Sequence, residues 1–193
     1  NSLFDQFAGT WIIWHSKFDT LQYLIRNVAL KECMARIFSA IDIEDEQALQ
    51  ELKQIRDTLD LGFKPVNTEK MHITLQFFKD INQKQITEVK KGLGNIDTEP
   101  FKAKIEGIGT FPNEDHIRVI WAGIEHPKIY EIQEKASKHR VKSDSKHEFK
   151  PHITLLRAKN ISRKKKVKLK KTIEEHRDKE IGEIKINNIK LFR

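Results

Sequence analysis

A single cysteine, Cys33, stands in this chain of 193 residues. No internal disulfide can form and a cysteine-rich zinc site is excluded, so a reducing compartment, the cytosol, is expected. Long hydrophobic runs are missing too. The longest apolar stretch near the start, Phe7–Trp14, falls far short of the ~20 residues that cross a bilayer. It lacks the basic leader and small-residue cleavage pattern of a signal peptide, so no membrane partner is expected. Acidic residues are scarce in one segment only: Lys138–Lys171 carries 14 Lys/Arg against 2 Asp/Glu. That local excess of +12 exceeds the net charge of +8, so the rest of the chain sums to −4. The asymmetry favours a polyanion docking in one place, against the plainer reading of a solvated lysine-rich helix.

What is present is a globular composition, with 38% hydrophobic and 33% charged residues, enough for one domain or one two-lobed unit with a real core. Residues 1–33 hold two of the three tryptophans and differ in character from the rest of the chain. Met34 is expected to be the functional start, with 1–33 an extension and 34–193 the folded unit. From there short apolar runs alternate with helix-patterned ones. Strands are expected at Arg36–Ile43, Met71–Phe78 and Phe101–Phe111, with helices at Asp45–Asp60 and from Asn82, an N-cap candidate. The order then repeats: strands at Ile117–Ile124, Pro151–Ala158 and Gly182–Phe192, with helices opened by Pro127 and capped by Ser162.

The halves, 34–112 and 116–193, overlay by counting. Arg36 to Arg118 is 82 residues, His72 to His152 is 80 and Phe111 to Phe192 is 81. Ile105, Ile108 and Phe111 match Ile186, Ile189 and Phe192 at a constant 81. A strand–helix–strand–helix–strand unit has been duplicated. Each copy would bury only a thin core alone, so the two are expected to pack together around a shared cleft.

The duplication explains why His-Ile-Thr-Leu occurs twice, at His72–Leu75 and His152–Leu155. In a strand, residues i and i+2 share a face. His72 and Thr74 therefore point one way, as do His152 and Thr154, while the isoleucines and leucines face the core. Imidazole titrates near neutrality, so two across a cleft can act as general base and general acid. Threonine hydroxyls suit phosphate oxygens. Strict alternation sets Arg157 on the opposite face; it reaches the cleft only if the strand ends or twists there. A single buried, hydrogen-bonded histidine would be unremarkable, but two at duplicated positions are not. Metal binding is disfavoured because no cysteine or carboxylate stands at ligand spacing. The other six histidines, His15, His116, His126, His139, His147 and His176, share no repeated context and read as surface residues.

The paired H-x-T-L motifs, with "RIFSAID", "RVIWAGI" and "FKPHITLLR", resemble the two-histidine phosphoesterase superfamily, and within it the archaeal and bacterial RNA 2′,3′-cyclic phosphodiesterases, also called 2′-5′ RNA ligases. The resemblance runs from Met34 to the C-terminus. It implies an α+β fold of two pseudo-symmetric lobes, each an antiparallel sheet with two helices, around a central cleft. It implies a cytoplasmic, cofactor- and metal-independent enzyme, a monomer, that hydrolyses RNA 2′,3′-cyclic phosphate ends (tRNA fragments among them) to 2′-phosphates, with ATP-independent 2′-5′ joining as the reverse. By motif position His72 and His152 would be the acid–base pair, with Thr74, Thr154 and Arg157 holding phosphate. Phe38, Trp121 and Phe149 would line a base or ribose pocket. Arg163, Lys164, Lys165 and Lys166 would guide RNA, unless they merely solvate their helix. The first motif reads H-I-T-L-Q-F, without a matching arginine, so the half-sites are chemically unequal. Two competing readings use the same fold: a non-catalytic RNA or nucleotide binder, and a phosphodiesterase acting on 2′-5′ oligonucleotides.

Overall fold

Each half opens with a strand of alternating burial and passes into a capped amphipathic helix. The computed structural model describes residues 35–97, 99–138, 148–159 and 161–193. Its first half runs β1 (Ala35–Asp42), α1 (Glu46–Leu59), a short β2 (Lys64–Pro65), a 3-10 turn (Thr68–Lys70), β3 (His72–Ile81), α2 (Gln83–Gly94) and β4 (Phe101–Phe111). The second runs β5 (Val119–Glu125), α3 (Pro127–Ser137), β6 (His152–Arg157), α4 (Arg163–Glu175), β7 (Glu180–Ile186) and β8 (Lys190–Phe192). The extension expected at 1–33 and the start expected at Met34 lie outside the described residues.

Side-chain acceptors begin the helices where orphan backbone N–H groups need them. Asp45 caps α1, and Asn82 forms a reciprocal capping box with Gln85 on α2. The Ser162 hydroxyl accepts from the Lys165 N–H at the start of α4. The α3 cap is the ring of His126, whose Nδ1 accepts the Lys128 N–H at 3.2 Å.

The eight strands of the described residues join one antiparallel sheet in the order β7-β4-β5-β6-β3-β1-β8, with β2 beside β6. The architecture is α+β, with four α-helices among the described residues. The closing strand expected over Gly182–Phe192 is two strands. β7 pairs with β4 and β8 with β1, so consecutive stretches of chain reach the two ends of the strand order and curl the sheet.

The ladders carry the duplication. Phe111 pairs with Val119 and Phe192 with Phe38; Gly109 pairs with Trp121 and Lys190 with Ala40. Each pair maps onto the other at an offset of 81. The two motif strands are direct neighbours, joined at Ile73 and Ile153.

The helices lock the halves together. α1 packs on β6 and β7, strands of the second half, and α3 packs on β3 of the first. Ala48, Leu52, Ile55 and Leu59 are the buried stripe of α1. In α4 only Leu169 and Ile173 are buried. Val167 is 65% exposed because it falls on the lysine face. Ile73 and Ile153 are fully buried where the halves meet. Ile153→Ala should therefore cost about 2–5 kcal/mol of stability, read as a lower urea midpoint at unchanged slope.

Candidate active site

The site begins with the alternation of β3 and β6. Ile73 and Leu75 are buried, as are Ile153 and Leu155, and His72, Thr74, His152 and Thr154 are half-buried on the other face. The two strands meet at the single pair Ile73–Ile153, which sets His72 and Thr74 on the same face of the sheet as His152 and Thr154, with the imidazoles near enough for the charge of one to act on the other.

Both rings are held the same way. His72 Nδ1 lies 2.8 Å from the Lys70 carbonyl oxygen, and His152 Nδ1 lies 2.7 Å from that of Lys150. A carbonyl can only accept, so each Nδ1 carries the hydrogen and donates it. Nε2 is left to take or give a proton in the cleft. Burial pushes the His152 pKa below its ordinary value; the nearby His72, Lys150 and Arg157 act in the same direction, and the Lys150 carbonyl opposes them.

A β-bulge settles the face of Arg157. In the β5–β6 ladder Ile120 pairs with Leu156 but Trp121 pairs with Thr154, so Leu155 is an extra residue. Leu155 and Leu156 are consecutively buried and Arg157 is exposed. The bulge resets the alternation and returns Arg157 to the His152/Thr154 face. The first half has the same bulge at Leu75, since Ser39 pairs with Gln76 and Ala40 with Thr74. There it delivers Phe77, 53% exposed. Lys64 of β2 pairs directly with Arg157, a position that shares its face and extends the positive charge.

The flanks are unlike. His72 has Phe38 at 5.0 Å and Phe192 at 5.8 Å between ring centroids, and Phe77 lies 5.5 Å from Phe38. His152 has Phe111 edge-on at 4.8 Å and Trp121 at 6.1 Å. Among the aromatic candidates, the structure thus brings Phe38 and Trp121 to the imidazoles. Phe149 instead packs against the core, edge-on to Tyr130 at 5.7 Å. Phe77, Phe192, Phe111 and Lys64 were missed by sequence reasoning. The matched Phe111–Phe192 positions signalled two of them; Lys64 left no signal, because only the fold sets it beside Arg157.

On α4, Arg163, Lys164 and Lys165 are exposed. Lys166 donates to the Asp115 carbonyl at 2.7 Å, and Lys170 pairs with the Asp115 carboxylate at 3.1 Å, so these two cations are tied to the body of the fold. Of the histidines expected at the surface, His116 is exposed, whereas His126 and His176 are half-buried. His126 is held there by its tilted contact with the Phe101 ring at 4.5 Å and His176 by its bond to the Thr172 carbonyl. Among the described residues no three His, Cys, Asp or Glu side chains gather as metal ligands, and no helix is long and apolar enough to cross a membrane.

Paired imidazoles and hydroxyls on one face of a duplicated α+β sheet define the class of two-histidine phosphoesterases. Within that class, the chain belongs to the LigT-like phosphoesterase family, whose pattern matches residues 41–121. It is 36% identical to the RNA 2′,3′-cyclic phosphodiesterase of Methanocaldococcus jannaschii, over 82% of this chain and 90% of that one. The protein of the same name from Methanothermobacter thermautotrophicus is 32% identical, over 82% and 89%. A crystal structure from Thermus thermophilus superposes with a TM-score of 0.64 at 25% identity, covering 82% and 88%. E. coli LigT complexed with 3′-AMP shares the fold, with a TM-score of 0.60 at 19% identity over 82% and 87%.

Proposed function

We propose that this protein hydrolyses 2′,3′-cyclic phosphate ends of RNA to 2′-phosphates, with His152 as general base and His72 as general acid. The observation that carries this reading is the matched pair of Nδ1–carbonyl bonds, which leaves two Nε2 atoms free on one face beside Thr74 and Thr154. The names of the M. jannaschii and M. thermautotrophicus relatives agree with it.

His152, biased toward its neutral form, takes a proton from water as the water oxygen attacks phosphorus in line. The P–O3′ bond breaks opposite, and His72 delivers a proton to the departing ribose oxygen. Thr74 and Thr154 donate hydrogen bonds to the non-bridging oxygens, and Arg157 meets their charge with paired planar donors. The terminal base lies on the His72 flank, where exposed Phe77 and half-buried Phe38 supply stacking surface. Arg163, Lys164 and Lys165 on the open face of α4 guide the RNA strand. A 5′-hydroxyl in place of water would give ATP-independent 2′-5′ joining. The folded unit acts from the cytoplasm as a monomer, on substrates that include tRNA fragments.

The test is a nucleoside 2′,3′-cyclic phosphate supplied to pure protein with excess chelator. A 2′-monophosphate is expected, and absence of product would leave a binding protein instead. The pH profile should be bell-shaped. Activity rises as the base loses its proton, and burial lowers the His152 pKa, so the acid limb should fall below the ordinary 6.5. The sign for stability follows from the same shift: the unfolded chain takes up the proton first, so stability contributed by neutral His152 is lost as pH falls through 6.5 toward the lower folded value.

A further inference from the structure

We infer that Lys64, backed by Lys165, holds the phosphodiester immediately upstream of the terminal nucleotide. The site then favours oligonucleotide ends over cyclic mononucleotides, a preference that rests on the hydrolysis proposed above. The observation is a set of cations that converge without counterions. Lys64 of β2 pairs in register with Arg157 of β6. Such cross-strand partners share a face, with Cβ atoms about 4.5–5.5 Å apart, and like charges directly opposite are destabilising. Both side chains are exposed, and neither has a carboxylate or carbonyl partner among the described residues. Lys165 of α4 reaches the same place. Its Nζ lies 3.2 Å from where a Cβ on Gly62 would stand, two residues ahead of Lys64, and it too has no acidic partner among the described residues.

Cations close by are treated differently. Lys166 and Lys170, on the same helix as Lys165, are tied to Asp115. Arg56 pairs with Asp57 and donates to the Val66 carbonyl at 2.8 Å. That bond anchors the chain just after β2, and buried Phe63 anchors it just before. Asp60 accepts the Gly62 and Phe63 N–H groups through one oxygen, at 2.8 and 2.9 Å, and so shapes the turn that leads into β2. Lys64 is therefore an exposed side chain on a fixed backbone, beside two other cations brought in by β6 and α4. An anion would relieve their repulsion, and an RNA strand supplies one at every nucleotide.

Position assigns which phosphate. Across the sheet the row reads Val119, Arg157, Lys64, apolar toward β5 and cationic toward β2. β3 meets β6 at Ile153, and β2 meets it at Leu156 and Arg157, both on the edge away from β5. Lys64 thus lies on the His72 side of β6, the side of Phe38 and Phe77, where the terminal base stacks. The cyclic phosphate of that nucleotide is held by the histidines, the threonines and Arg157. The next charge along an RNA strand is the phosphodiester on the 5′-oxygen of the same ribose. Lys64, one strand further out than Arg157, meets it, and Lys165 continues the line toward exposed Arg163 and Lys164. A cyclic mononucleotide ends in a 5′-hydroxyl and leaves Lys64 unused.

The test compares three substrates at one ionic strength. They are adenosine 2′,3′-cyclic phosphate, the 3′-5′ adenosine dinucleotide ending in the same cyclic phosphate, and that dinucleotide with a neutral methylphosphonate linkage. The wild-type protein should favour the charged dinucleotide over the neutral one by about tenfold in kcat/KM, the lower end expected of one charge-assisted bond. Lys64→Ala should remove that preference through KM, and Lys64→Arg should restore it. On the charged dinucleotide, the slope of log kcat/KM against log salt should flatten by about 0.7 in Lys64→Ala, the share of one single-strand phosphate contact. Equal loss on all three substrates would place Lys64 on the reacting phosphate and overturn the inference. So would an unchanged preference in Lys64→Ala, or a wild-type protein indifferent to the charge of the linkage. A wild-type protein inactive on all three substrates overturns the hydrolysis reading itself.

Discussion

Replacing either His72 or His152 by alanine is expected to lower kcat for cyclic phosphate hydrolysis by about 10²–10⁴-fold, the usual worth of a positioned acid or base. The two losses should be comparable, because the in-line step needs a proton removed from one oxygen as another arrives at the opposite one. They should not add, since the second histidine has no partner to act with once the first is gone. Asparagine is the sharper substitution. Its side-chain N–H₂ can still donate to the Lys70 or Lys150 carbonyl that now holds Nδ1, but it offers no basic nitrogen where Nε2 stood. His152→Asn and His72→Asn should therefore keep the wild-type melting temperature while losing activity as fully as the alanine forms. A variant retaining most of its turnover would show that only one imidazole takes part.

Arg157→Ala should cost about 10- to 150-fold in kcat/KM, corresponding to loss of a charge-assisted bond of about 1.5–3 kcal/mol. Arg157→Lys should recover only part, since an ammonium restores the charge but not the planar pair of donors. A second readout separates this role from simple packing. The Arg157 cation is among the groups that lower the His152 pKa, so its removal should move the acid limb of the pH profile upward. The lysine form should leave that limb near its wild-type position. An alanine variant with full activity, or with reduced activity and an unmoved limb, would place the phosphate away from the bulge.

Much of this architecture is readable from local spacing. The period of two in "HITL" assigns His72 and Thr74 to one face and Ile73 and Leu75 to the other, and burial follows that division on both motif strands. The repeat of 81 residues is visible in isoleucines and phenylalanines before any coordinate, and the same number governs the ladder pairs Phe111–Val119 and Phe192–Phe38. Capping residues such as Asn82 and Ser162 are legible because a side-chain oxygen beside the first helical turn acts within three residues of itself. The split of the last strand was not legible. Gly182–Phe192 has one continuous pattern, and only its partners β4 and β1 divide it.

By itself the amino-acid sequence determined the chemistry available and its twofold repetition: which side chains can carry protons, which can hold phosphate, and that each set occurs twice. The missing arginine of the first motif is already visible there, but tertiary structure decided where the unequal residues lie. The bulge that returns Arg157 to the face of His152 and Thr154 lies in a mismatch between β5 and β6, and the unequal surroundings of His72 and His152 depend on strands far away in sequence. Alternation and capping are local, set by bond geometry over a few residues; register and burial arise only when distant segments are brought into contact.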